Sequence, residues 1–125
     1  MSGKSELKKR KCQSEHAEQR EFVSWFRQNY PNILIFSIPN GAYLNGKTPR
    51  DRSIQANKLK LEGLVEGVPD LFIPALKIFI EMKALDGKLG RDQAEIRDYL
   101  ELNGYKSYVC YGCEEAIECL KSLLL

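Results

Sequence analysis

Long apolar runs are missing from this sequence. No stretch reaches the roughly 18 residues that a bilayer-spanning helix requires. Met1 to Lys11 is polar and basic, without the hydrophobic segment of a secretory leader. The expectation is a soluble, cytoplasmic chain with no membrane partner. Histidine is almost absent, His16 being the only one, and cysteine is sparse: Cys12, Cys110, Cys113 and Cys119. Cys110-Tyr111-Gly112-Cys113 has the C-x-x-C spacing of zinc and redox sites. No second pair is spaced to match, and only Cys119, Cys12 and His16 remain as further ligands. A zinc module stays open at this level, but buried thiols acting as small hydrophobes are the simpler expectation. Internal repeats, low-complexity segments and interdomain linkers are also lacking. The chain has 125 residues, 43% of them apolar, which suits one domain with a real core. A basic arm over 1–13 and a single domain over 14–125 are expected.

Charge is present in both signs but unevenly placed. Residues 1–60 carry 12 Lys/Arg against 5 Asp/Glu, and residues 61–125 carry 7 against 12, within a net charge of +2. A basic first half suits contact with phosphates. An ordinary solvated surface with a basic tail explains the same numbers.

Periodicity and breakers give an α, β, α, β, β, α, β, α order. A helix is expected over Ser14–Tyr30, with Ser14 as N-cap and Glu15 and Glu18 in the first turn. Its apolar stripe is Phe22, Trp25, Phe26 and Tyr30. Glu18 shares that face, four residues before Phe22. It reads equally as a helix N-terminal acid or as a carboxylate for a metal. Ile33–Ile38 reads as a short buried strand ended by Pro39-Asn40-Gly41. A polar loop leads to a basic helix over Arg50–Glu62, closed by Gly63. The loop and this helix are the best placed to meet phosphates. Asp70–Ile73 and Lys77–Lys83 read as a hairpin turned through Pro74-Ala75-Leu76. A helix over Arg91–Leu102, a strand over Lys106–Tyr111 and a helix over Glu114–Leu123 complete the chain.

The hairpin carries charge where strands usually carry none. Ile78, Ile80 and Met82 alternate with Phe79, Glu81 and Lys83. Glu81 and Lys83 leave one face about 7 Å apart, and pairing of the strands can bring Asp70 beside Glu81. A hard cation such as Mg²⁺ takes oxygen ligands and keeps several waters, so one or two carboxylates suffice. Asp70, Glu81 and the backbone carbonyl of Met82 are candidate ligands. A lysine nearby can orient or deprotonate water and offset charge on phosphorus, which suits phosphodiester hydrolysis. Taken alone, E-x-K is common, and a salt-bridged hairpin without metal accounts for it as well.

The ordered motifs narrow this. Pro69-Asp70 with Glu81-Met82-Lys83 resembles the PD-(D/E)xK nuclease superfamily, and the wider pattern is similar to its VRR-NUC branch. The matching stretches are Glu15-His16-Ala17-Glu18-Gln19, Ile38-Pro39-Asn40-Gly41, Leu61-Glu62-Gly63, Gly67-Val68-Pro69-Asp70-Leu71, Ile80-Glu81-Met82-Lys83, Gln93, and Gly104-Tyr105 before Val109-Cys110. The resemblance implies an α/β, restriction-endonuclease-like fold with a central mixed four-stranded sheet flanked by helices. It implies a Mg²⁺- or Mn²⁺-dependent DNA endonuclease. Asp70, Glu81, Met82 and Glu18 would then hold the metal, Lys83 would be the catalytic lysine, and Gln93 would position water or phosphate. The DNA-contacting set would be Asn40, Lys47, Arg50, Arg52 and Lys58. Short standalone members resemble homodimeric phage and bacterial enzymes that act on branched DNA, notably four-way junctions. Flap or linear-duplex cleavage, or a non-catalytic DNA-binding module, are the alternatives.

Overall fold

The computed structural model describes residues 12–39 and 47–124. Among them it forms an α/β arrangement of four helices and a mixed four-stranded sheet in the order β1-β2-β3-β4. The elements are α1 (Glu15–Asn29), β1 (Phe36–Ser37), α2 (Pro49–Leu61), β2 (Leu71–Ile73), β3 (Ile78–Lys83), α3 (Arg91–Leu102), β4 (Lys106–Tyr111) and α4 (Cys113–Leu123). A 3₁₀ turn over Pro74–Leu76 joins β2 to β3. Packing divides the chain into two compact units.

The first unit contains residues 12–33, 82–88 and 109–124. Helix α1 starts where Ser14 Oγ accepts a hydrogen bond from the Ala17 N–H at 3.2 Å. Phe22 and Phe26 are fully buried and stack within an aromatic series that includes Trp25 and Tyr30. The period of the helix puts them on one face, and α4 packs against α1 with Ala116 and Leu120 fully buried. Met82 and Cys110 are also buried in this unit.

The second unit contains residues 34–39, 47–81 and 89–108. Strands β1 and β2 pair antiparallel, Phe36 opposite Phe72, and β2 and β3 pair antiparallel with Leu71 opposite Ile80 and Ile73 opposite Ile78. Those last four side chains are buried and form one face of the hairpin. The Lys106 N–H donates to the Lys77 carbonyl at 3.0 Å, and the Gly112 N–H donates to the Lys83 carbonyl at 2.9 Å. Both strand numbers rise together, so β3 and β4 run parallel, with α3 as the crossover.

One element differs from the sequence expectation by more than a residue. The Ile33–Ile38 strand shrinks to two residues. Its start is taken by a turn in which the Ile33 N–H donates to the Tyr30 carbonyl, and at this sheet edge the short β2 leaves little to pair with. Only Ile35 in that stretch is buried, while Leu34 is 62% and Phe36 39% exposed. Helix α4 begins one residue earlier, at Cys113. Helix α2 buries none of its residues. It is held by its ends: Thr48 Oγ1 accepts from the Asp51 N–H, and the Leu64 N–H returns to the Leu59 carbonyl.

Candidate metal centre

Continuing the β2–β3 register by one step sets Asp70 opposite Glu81. Their carboxylate oxygens lie within 4.8 Å of each other. Glu81 stands on β3 and is 3% exposed; Asp70 immediately precedes β2 and is half-buried. The Asp70 backbone is fixed from the other side, where its carbonyl accepts from the Ile38 N–H at 2.7 Å. Two hydrogen-bonded neighbours on a sheet thus aim like charges at one point. Carboxylates this close repel each other, and a cation between them relieves that repulsion. As an all-oxygen donor pair, they fit a hard divalent ion that retains water.

The α3 N-terminus braces Glu81. Gln93 Nε2 donates to Glu81 Oε2 at 2.9 Å, and Gln93 Oε1 accepts from the Gly90 N–H at 2.7 Å. Gln93 is the third residue of the helix, so its side chain reaches back over the helix start. With both ends of the amide committed, one orientation satisfies both bonds. The loop that carries Asp70 is tied to the same place. Gly67 has φ +91°, and a Cβ there would stand 2.6 Å from the Asp92 carbonyl carbon and oxygen and 2.9 Å from the Gln93 nitrogen. The Gly-Val-Pro-Asp-Leu run therefore starts where only glycine lets the loop touch α3. Pro69 is fully buried.

Lys83 follows Glu81 by two residues on β3 and is 6% exposed, and the Met82 side chain is fully buried. Glu18, on α1, is engaged at the start of α4. It is fully buried, and its Oε1 accepts from the Cys113 N–H at 2.8 Å. Gly112 precedes α4 without a side chain to cap it, and Glu18 supplies the acceptor from α1 instead. Glu15, one turn earlier, is exposed. Its three-residue spacing sets it beside Glu18 along the helix.

Of the expected DNA contacts, Lys47, Arg50, Arg52 and Lys58 are all exposed, and Asn40 lies outside the described residues. The helical period sets Arg50 and Lys58 roughly 80° apart around α2 and Arg52 nearly opposite Arg50. The cations surround α2 rather than lining one face.

Among the described residues the cysteines and His16 form no group of three ligands. Burial, with Cys119 and Glu115 nearby, pushes the Cys110 thiol up to about 12. Cys119 is also raised, chiefly by burial. Cys12 is exposed. A thiol reagent at pH 8 is therefore expected to label Cys12 rapidly and Cys110 and Cys113 only after denaturant is added; mass mapping of the labelled peptides checks this. Rapid native labelling of Cys110 would contradict its packing.

No family model, curated protein or solved structure matches this chain.

Proposed function

We propose that this protein is a divalent-metal-dependent DNA endonuclease of the PD-(D/E)xK type with a restriction-endonuclease-like core. The observation that carries the proposal is the Asp70–Glu81 carboxylate pair, held in sheet register, with Gln93 bonded to Glu81 and Lys83 two residues along the same strand. The ordered sequence motifs are the second support. Asp70 and Glu81 would hold Mg²⁺ or Mn²⁺, with the Met82 carbonyl as a further oxygen. A bound cation would lower the pKa of an attacking water and polarise the phosphoryl oxygen. Lys83 orients that water and offsets charge developing on phosphorus. Gln93 fixes the direction of the Glu81 carboxylate. The exposed cations of α2 and Lys47 contact the phosphate backbone. Branched DNA, cut by a homodimer, is the substrate and assembly favoured by the resemblance.

The test is a cleavage panel of labelled four-way junction, flap, splayed and linear duplex DNA, with Mg²⁺, Mn²⁺ or EDTA, at several salt concentrations. Metal-dependent products with a junction preference are expected. Gel shifts without products under any metal would replace the enzyme by a binding module.

Gln93→Ala isolates the bracing bond. Residues that orient a metal ligand typically contribute 10–100-fold in affinity. Calorimetric titration with Mn²⁺ is expected to show a loss of about that size, with the fold intact by circular dichroism. An unchanged Mn²⁺ affinity would remove Gln93 from the centre.

A further inference from the structure

The sheet face that bears the carboxylates continues as a row of aromatic rings. Phe36 lies opposite Phe72, and Phe72 opposite Phe79. The Phe72 and Phe79 rings are stacked at 4.3 Å, and Phe36 meets Phe72 edge-on at 5.8 Å. Tyr105 joins from the end of α3, 5.5 Å from Phe79 and 6.1 Å from Phe72. Gly104, at φ +90°, reverses the chain there, and the Tyr105 N–H returns to the Leu100 carbonyl, which fixes where the ring emerges.

This row is not the core of the hairpin. The opposite face holds Leu71, Ile73, Ile78 and Ile80, all buried, whereas Phe36 is 39% exposed and Phe72, Phe79 and Tyr105 are half-buried. Alternation along the strands sets Asp70 two residues from Phe72 and Glu81 two residues from Phe79, a step of about 7 Å. At the far end of β3, Lys77 and Lys106 are exposed and joined through their backbones. The second unit thus carries cations before β3, a row of aromatic rings across β1 to β3, and a carboxylate pair beyond the rings.

We propose that this row is a stacking platform for unpaired nucleotides, with Phe36 as the outermost ring. The proposal rests on the nuclease reading for the identity of the ligand and assigns its substrate an unpaired segment beside the cut. Every base has a π face, so such a platform is sequence-tolerant, and the flanking charges suit a polyanion whose phosphate reaches a metal at Asp70 and Glu81. A second copy of the chain is the less suitable occupant. A stable dimer needs about 800 Å² from each partner, and three of the four rings are already half-buried.

The experiment uses the full chain in EDTA, where cleavage is blocked, and measures anisotropy of labelled oligothymidine and of a duplex of equal length. Phe36→Ala is expected to weaken oligothymidine binding about 5- to 100-fold, with duplex binding little changed. Phe36→Leu, which keeps apolar bulk without a π face, is expected to behave like Phe36→Ala, and Phe36→Trp to retain binding. Equal oligothymidine affinity in wild type and Phe36→Leu would overturn the platform. So would sedimentation showing that Phe36→Ala converts a dimer to a monomer in step with the loss of binding, which would reassign the row to self-association. Wild-type protein that binds oligothymidine through Phe36 but cleaves nothing with metal would remove the nuclease reading and leave the platform standing.

Discussion

Lys83→Met is expected to slow DNA cleavage on the order of 10³-fold, about 4 kcal/mol of transition-state stabilisation. The substitution keeps most of the length of the side chain and removes its charge and donors. Binding of junction DNA in EDTA should change little, because the exposed cations at Lys47, Arg50, Arg52 and Lys58 remain. Lys83 is buried, so thermal melting must accompany the kinetics, and single-turnover rates should be compared only under conditions where both proteins are folded. A folded Lys83→Met protein that cleaves at the wild-type rate would end the catalytic assignment. Asp70→Asn gives an independent readout. Mg²⁺ should raise the melting temperature of the wild type, since a ligand that binds only the folded state stabilises it, and that rise should vanish in the variant.

Gly67→Ala is expected to be the most damaging small substitution in the second unit. The positive φ costs about 1–2 kcal/mol for a residue with a Cβ. The new methyl carbon would then stand 2.6 Å from backbone atoms of Asp92, which cannot rotate away as a flexible side chain would. Overpacking of this kind adds roughly 1–3 kcal/mol. Together they predict a loss of about 2–5 kcal/mol and a melting temperature lower by roughly 10 °C. Gly104→Ala supplies the contrast. Its φ is +90°, but its Cβ would meet nothing within 4 Å, so only the conformational part remains. Denaturant titrations of the two variants separate sterics from backbone preference, and equal losses would show that the contact with α3 carries no weight. Any Gly67→Ala protein that folds should also bind metal less well, because α3 must shift and take Gln93 with it.

The boundaries of α1, α2, α3 and β4 were legible because each rests on local chemistry. Ser14, Gly63 and Gly104 act within a few residues of where they stand, and the alternation of Ile78, Ile80 and Met82 needs only the strand period. The Asp70–Glu81 pairing was legible for a related reason, since a short turn through Pro74 leaves a hairpin few registers. What escaped the sequence depends on partners far along the chain. Glu18 could be placed on the inward face of its helix, but nothing local marks the Cys113 N–H as its partner. The shortening of β1 follows from its position at the sheet edge, which an apolar run such as Ile33-Leu34-Ile35-Phe36 does not announce. Burial of Glu81 and Lys83 also went unseen, because charge in a sequence reads as exposure until a neighbour such as Gln93 is in place.

The bond between Glu18 and the Cys113 N–H spans 95 residues. During synthesis α1 leaves the ribosome long before α4 exists. The Glu18 carboxylate, fully buried in the folded protein, cannot make this bond until Cys113 has been made. Folding of the first unit therefore waits for α4, and such non-local contacts slow folding. A chain that stops short of Cys113 would leave α1 with an acid it cannot bury and Phe22 and Phe26 without α4 to cover them. Such a fragment is expected to be prone to aggregation.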